Sequence, residues 1–358
     1  MSALLDVANL SKTFVSGGGL FGRAKSARVV TDVSFSLQRG DVFALVGESG
    51  SGKTTIGRML LRLIEPDAGH IIFDGIDVRS LAPADLRRLR RRIQIIFQDP
   101  FGSLDPRVRI GAAIAEPILL HQLRPANKVD ERVAELLTLV GLDGSYANRF
   151  PHEFSGGQRQ RVAIARALAV EPELIVCDEP VSALDLSIQA QVVNLLSELR
   201  TRLGVSYVFI SHDMAVVRHL ATHVGVLYAG RLVETGPSET IFADPRHPYT
   251  RMLLAATPSP VPGAARDRET ITGEPPSPYA EWTQCRFASR CEHRIDACLA
   301  ADPPLAATAP APRLSACIRA NELPGFAAFD DGESRMTASY RLRLDLLRRA
   351  RLPKVTHV

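Results

Sequence analysis

A chain of 358 residues that is 46% apolar and 23% charged can bury a sizeable core, enough for one large domain beside a smaller one, and is neither disordered nor fibrous in composition. Its formal net charge of +4 is too small to argue for nucleic acid, and it contains no apolar run long enough to cross a bilayer. The first residues, MSALLDVANLSKTF, place Asp6 inside their apolar stretch and lack a basic leader, which argues against a signal peptide.

In chain order, Leu4 to Leu10 alternate as a strand that ends near Phe14, and a glycine-rich basic loop, VSGGGLFGRAKSAR, follows. Val29 to Leu37 resumes strand alternation, and Arg39-Gly40-Asp41 turns into a buried strand over Val42 to Val46. That strand runs into GESGSGKTT, Gly47 to Thr55, and helical periodicity continues to Ile64. Strand, glycine loop and helix in this order, with G-x-x-x-x-G-K-S/T spelled by Gly47, Gly52, Lys53 and Thr54, are what a phosphate-binding loop requires. Glycines let the backbone turn tightly and aim successive N–H groups at one anion, and the helix N-terminus adds its positive dipole end. In such a loop Lys53 reaches the β- and γ-phosphates and the Thr54 hydroxyl holds Mg²⁺. Phe14, upstream of the loop, either stacks on adenine or packs at its strand end.

Residues 66–82 read as a hairpin turning at Asp67-Ala68-Gly69 and Asp74-Gly75. Pro83 to Arg92 is a charged helix whose arginines 87, 88, 90, 91 and 92 read as a solvated face. Ile93 to Phe97 is a strand ending at Gln98, a residue able to ligate Mg²⁺ and sense a nucleotide. Helical periodicity covers Ile110 to Gly141, with a loop around Pro125. Phe154-Ser155-Gly156-Gly157-Gln158 then opens another helix, with Ser155 as N-cap and the glycine N–H groups facing out. This second anion-binding helix start has no lysine, so it suits a nucleotide held elsewhere. Leu174 to Cys177 is a buried strand with an inert thiol, and it delivers Asp178, suited to Mg²⁺, and Glu179, suited to act as a general base. Ser182 to Asp185 starts a helix. Val205 to Ser211 is a strand ending at His212, which is either structural or within reach of a γ-phosphate. Val224 to Val233 is a hairpin turning at Ala229-Gly230.

Four of the five cysteines, Cys285, Cys291, Cys298 and Cys317, fall in one stretch, separated by five, six and eighteen residues. Without a secretory signal they read as a metal site before disulfides. Structural zinc sites show pairs two to four apart, which are missing here, whereas four thiolates in a loop-rich segment can hold a 4Fe–4S cluster. Zinc and unliganded thiols remain alternatives. The segment is rich in proline and poor in apolar periodicity, so a metal staple would help it fold, and loosening it is expected to leave nucleotide binding at Lys53 largely intact.

Taken together, GESGSGKTT, Gln98, FSGGQ, LIVCDE, SALD (182–185) and His212 resemble an ATP-binding cassette (ABC) ATPase subunit over residues 4 to about 235. Phe154, where leucine is commoner, is a conservative departure. The resemblance implies an α/β P-loop NTPase with a RecA-like core, an antiparallel β subdomain and a helical subdomain over about 100–170. It also implies two subunits packed head to tail with each ATP between them. Carried over by motif, Phe14 stacks on adenine, and Gly47, Ser49, Gly50, Ser51, Gly52, Lys53, Thr54 and Thr55 hold the phosphates. Thr54, Gln98 and Asp178 serve Mg²⁺, Glu179 is the base, Gln98 the lid glutamine and His212 the switch histidine. Ser155, Gly156, Gly157, Gln158 and Asp185 serve the nucleotide interface.

RHPYTR (246–251) with LLAATP after it, and CRFASRC (285–291) with Cys298, Pro303, Pro304, Leu305 and Cys317, are similar to the C-terminal extension of oligopeptide, dipeptide and nickel importer ATPases. The loop with Leu20 to Arg23 is similar to the F-type ATPase of those systems. Residues 1–235 are thus expected to be the ATPase domain, 236–320 a small Cys-rich extension, and 321–358 a tail with a basic, helix-like run. The resemblance further implies an ATP hydrolase, peripheral on the cytoplasmic face of the inner membrane, powering peptide import with a second ATPase subunit (the same chain or another) and two permease subunits, and indirectly with an extracytoplasmic solute-binding protein. The same role in a nickel or other small-solute importer is the alternative. A non-transport ABC ATPase usually has two cassettes or long heptads, and this chain has neither.

Overall fold

The computed structural model describes residues 3–17, 25–99, 102–257, 273, 276–277, 279–280, 282–309 and 312–326. The loop with Leu20 to Arg23 and the basic run after residue 338 lie outside them. In chain order the elements are β1 (Leu5–Ser16), β2 (Lys25–Leu37), β3 (Val42–Val46), α1 (Lys53–Leu60), β4 (Ala68–Phe73), β5 (Ile76–Asp77), α2 (Pro83–Arg92) and β6 (Ile93–Ile96). They continue with α3 (Ile110–Leu120), α4 (Val129–Leu139), α5 (Gly156–Leu168), β7 (Leu174–Asp178), α6 (Leu186–Leu203), β8 (Ser206–Ser211) and α7 (Met214–Leu220). The hairpin β9 (His223–Tyr228) and β10 (Arg231–Pro237), α8 (Ser238–Ala243), α9 (Pro248–Ala255), β11 (Ala306–Ala307) and β12 (Leu314–Ser315) complete them.

These strands form two sheets. One is antiparallel, in the order β2-β1-β4-β5. The other runs β11-β12-β10-β9-β3-β8-β7-β6, and its strands from β9 to β6 are parallel. Every residue of β3, β7 and β8 is buried, as expected of parallel strands covered on both faces. Alternation along β3 divides the core. Val42, Ala44 and Val46 pack with α3, α4 and α5 residues such as Ile114, Leu136 and Ile164. Phe43 and Leu45 pack with Ile56 of α1 and with Leu5, Val7 and Phe73 of the antiparallel sheet. The expected α/β core, antiparallel sheet and helical region are therefore all present.

One reading holds and two change. β1 ends at Ser16, close to Phe14 as expected. Register shifts between Val7 and Thr13 and a left-handed Asn9 (φ 51°), whose N–H donates to Ser34 Oγ at 2.8 Å, break the alternation without ending the strand. The arginines of α2 are not all solvated. Arg90 donates to the carbonyls of Leu61 and Arg62, while Arg92 and Arg39 bridge Asp74 and Glu173 and hold both carboxyls below their usual range. The boundary placed at 235 falls inside β10, and the sheet continues past it, since Glu234 pairs with Ser315 on β12.

Candidate active site

Four parallel strands end together. Val46 of β3 is level with Ser211 of β8, Asp178 of β7 with Ile210, and Ile96 of β6 with Cys177, so the residues that follow share the carboxyl edge of the sheet, where open α/β sheets bind ligands. A pocket of about 560 Å³ opens there, lined by the loop from Gly47 to Thr55 (Ser51 excepted), by Gln98, Glu179 and His212, and by Val29 and Leu253.

The loop's glycines are required by position. A Cβ on Gly47 would lie 2.1 Å from the Leu227 carbonyl oxygen, and Gly52 (φ 105°) would meet the Val29 carbonyl at 2.6 Å. Lys53 is 4% exposed, and its ammonium donates to the carbonyls of Gly47 (2.7 Å) and Glu48 (2.8 Å). Burial lowers its pKa, offset in part by Glu179, Asp178 and Glu48.

Glu179 is the hub. Its carboxylate accepts from Gln98 Nε2 at 3.0 Å, faces His212 Nδ1 at 3.3 Å and lies 3.9 Å from Lys53 Nζ. Its backbone is left-handed (φ 46°), a conformation that costs about 1–2 kcal/mol for a residue other than glycine. The Glu179 N–H bond to the Ile210 carbonyl and the Ser182 hydroxyl bond to the Glu179 carbonyl (3.1 Å) hold it there. Beside it the Thr54 hydroxyl donates to Asp178 Oδ1 at 2.8 Å. Burial lifts the Asp178 carboxyl above its usual range, against the Thr54 bond and Arg58. A hydroxyl, a buried carboxyl and the Gln98 amide form an oxygen-donor set that suits Mg²⁺, which is usually bound through one or two carboxylates together with water and substrate phosphate.

The other expected residues lie elsewhere. Ser155 caps α5 as foreseen, accepting from Gln158 N–H at 3.3 Å while Gln158 Oε1 accepts from Ser155 N–H at 3.0 Å. Ser155 is exposed, and none of Ser155, Gly156, Gly157 and Gln158 lines the pocket. Asp185 is exposed at the start of α6. Phe14, 40% exposed, pairs with Ala27 on β2, two residues from the pocket-lining Val29.

The extension supplies what sequence reasoning missed. RHPYTR starts α9. Burial pushes the His247 imidazole down to about 3, and its neutral Nδ1 accepts from Tyr249 N–H as the helix cap. The Tyr249 hydroxyl accepts the Glu48 N–H at 2.9 Å, so the phosphate loop leans on this helix. Glu234, fully buried, accepts from the N–H groups of Arg246 and His247. A glutamate directly after the apolar pair Leu232-Val233 in a hairpin strand was the available signal. Cys285, Cys291, Cys298 and Cys317 line a single cavity of about 20 Å³ with His247, Phe287 and His293. Among the described residues no three His, Cys, Asp or Glu side chains are grouped to hold one metal ion. Burial raises the thiols of Cys285 and Cys291, and that of Cys317 to about 11.

Comparison with known proteins yields matches along most of the chain. The family described as ABC transporter matches residues 30–182, and the oligopeptide/dipeptide transporter C-terminal region matches 233–298. A putative peptide import ATP-binding protein of Brucella ovis is 51% identical over 318 residues, 89% of this chain and 98% of that protein. A probable peptide ABC transporter ATP-binding protein of Sinorhizobium fredii is 46% identical over 304 residues, 85% and 86% of the two chains. Among solved structures, cbiO1 of Clostridium perfringens, part of the ABC transporter complex cbiONQ, superposes with TM-score 0.59 at 26% identity, over 68% of this chain and 92% of its own. A dimeric ATP-binding cassette in a post-hydrolysis state with ADP and Pi gives TM-score 0.59 at 28% identity, over 65% and 98%.

Proposed function

The chain belongs to the ABC transporter ATP-binding family, in its peptide-import branch, and on that premise we propose how its residues divide the work of ATP hydrolysis. The protein is the ATPase that powers a peptide importer, and its family implies a membrane permease and a dimeric ATPase as partners. Among the described residues no helix is long and apolar enough to cross a membrane. Peripheral attachment at the cytoplasmic face of the inner membrane, two permease subunits, and a second ATPase that is a copy of this chain or a relative complete the proposed assembly, fed from outside by a solute-binding protein.

One observation carries the mechanism: Glu179 meets Lys53, Gln98 and His212 in one pocket. Lys53 and the loop N–H groups bind the β- and γ-phosphates of ATP. Thr54, Gln98 and Asp178 would hold Mg²⁺, which would supply neutralisation of phosphate charge. Glu179 takes the proton of the attacking water, Gln98 keeps the carboxylate aimed, and His212 faces the γ-phosphate. Phe14, near Val29 on the pocket wall, stacks on adenine. Ser155, Gly156, Gly157, Gln158 and Asp185 stand outside their own chain's pocket and serve the partner's ATP. Closure stores ATP's preference for the dimer, and hydrolysis releases it.

Ser155→Arg tests this division. Its own pocket should bind ATP within about threefold of wild type, while turnover in the assembled importer falls at least 100-fold. Loss of ATP binding by the substituted chain itself would refute the shared site.

We also propose that Cys285, Cys291, Cys298 and Cys317 hold a 4Fe–4S cluster, which would staple a segment poor in apolar periodicity. What supports the reading is that all four thiols line one cavity, and four thiolates are the usual ligand set of such a cluster. Raised thiol pKa values mean that loading displaces protons. Anaerobically purified protein should be brown and contain iron and labile sulfide. Colourless protein, with or without stoichiometric zinc, would overturn the assignment.

A further inference from the structure

The sequence treats the cysteine segment as separate from the nucleotide loop, but the fold ties the two together. Arg290, one residue before Cys291, sends its guanidinium onto Glu48 in two parallel bonds, Nη1 to Oε2 at 2.9 Å and Nη2 to Oε1 at 2.8 Å. The pair is largely withdrawn from water, with side chains 3% and 18% exposed. The Tyr228 hydroxyl accepts a third bond from Arg290, at 3.4 Å. Glu48 belongs to the phosphate loop and lines the nucleotide pocket. Its N–H is held by Tyr249 and its carbonyl by Lys53.

Arg290 reaches this place because the thiol segment is wound tightly. Cys285 N–H bonds the Cys298 carbonyl, Ala288 N–H bonds the Cys285 carbonyl and Arg290 N–H bonds the Phe287 carbonyl, each at 3.0 Å. Phe287 packs against both Tyr228 and Tyr249, with ring centroids 5.3 and 5.5 Å away, and the two tyrosine rings lie 4.5 Å from each other. Arg286 donates to the Ala229 carbonyl and to Asp302, fixing the turn on the β9–β10 hairpin.

A carboxylate on the rim of a pocket built for a polyanion opposes binding unless it is paired. We propose that Arg290 is a positioning residue for nucleotide binding: it neutralises Glu48 and holds it clear of the loop N–H groups, so that the fold of the thiol segment sets the affinity of the phosphate pocket. The inference rests on the nucleotide reading above and adds a determinant from outside the ATPase motifs. It also replaces the expectation that loosening residues 280–320 leaves nucleotide binding intact.

The test is equilibrium binding of Mg-ATP to the full-length chain by calorimetry, with thermal melting to confirm folding. Arg290→Gln should weaken binding about 10- to 100-fold, and the defect should shrink as salt is raised. Arg290→Gln combined with Glu48→Gln should bind within about threefold of wild type, because the unpaired carboxylate is gone. Arg290→Lys, which keeps the charge and loses the fork, should fall between. Cys291→Ser should weaken binding on the wild-type background and have no further effect on the double variant. Should Arg290→Gln not fold, the double variant and Arg290→Lys still decide the question. Wild-type affinity in Arg290→Gln, a double variant as weak as Arg290→Gln, or unchanged affinity in Cys291→Ser would each overturn the proposal. Wild-type protein binding no more tightly than Lys53→Ala would instead refute the nucleotide reading beneath it.

Discussion

Glu179→Gln is expected to lower ATP turnover at least 100-fold and to leave ATP bound in a closed dimer. The substitution keeps shape, the left-handed backbone at φ 46° and a side chain able to meet Gln98 and His212, and it removes only the ability to take a proton. Asp178 and Thr54 remain paired at 2.8 Å, so the oxygen donors for Mg²⁺ survive. Binding and closure should therefore continue while the step that reopens the dimer stops. Single-turnover phosphate release gives the rate, and light scattering with and without Mg-ATP gives the dimer fraction. Normal turnover, or a variant that stays monomeric with Mg-ATP bound, would remove Glu179 from the role of base.

Lys53→Ala should act one step earlier. Its ammonium is the fixed cation at the floor of the loop, 4% exposed, and charge-assisted bonds to phosphate contribute roughly 1.5–3 kcal/mol each, so Mg-ATP affinity should fall about 100-fold. Folding should suffer little. The lysine already bears a burial cost that lowers its pKa, and its loss frees two loop carbonyls that water in the open pocket can reach. Calorimetric affinity and the melting midpoint separate the two effects. A collapse of the midpoint together with the affinity would mean that Lys53 serves the fold of the loop rather than the nucleotide.

The strand ends were legible because each is a short apolar run delivering one polar residue, and a parallel sheet aligns such ends without further information. Gly47 to Thr55, Gln98, Asp178, Glu179 and His212 meet for that reason. Local chemistry also announced the Ser155 cap, whose partners lie three residues apart. What stayed hidden depends on distance along the chain. Glu48 occupies a variable place in the phosphate-loop pattern, and its partner Arg290 lies 242 residues away among cysteines that drew attention to themselves. Arg90 and Arg92 read as surface charges because the carbonyls of Leu61 and Arg62 and the carboxylates of Asp74 and Glu173 that receive them come from other elements. Periodicity reports which face of a helix is apolar, and it says nothing about which distant acceptor a long side chain can reach.

The continuation of the sheet past β10 decides how this protein can be divided. An edit at residue 235 would strip β12 from β10 and leave a bare strand edge, the kind of surface that recruits other chains. It would also strand the Glu234 carboxyl, fully buried, without the N–H groups of Arg246 and His247. Tyr249, Leu253 and Arg290, all in contact with the phosphate loop or its pocket, would leave with the discarded part. The extension is thus no interchangeable cartridge. Chimaeras between relatives should be joined within the helical region or beyond Cys317, and the smallest fragment worth crystallising with nucleotide is one that still ends past the last of the four cysteines.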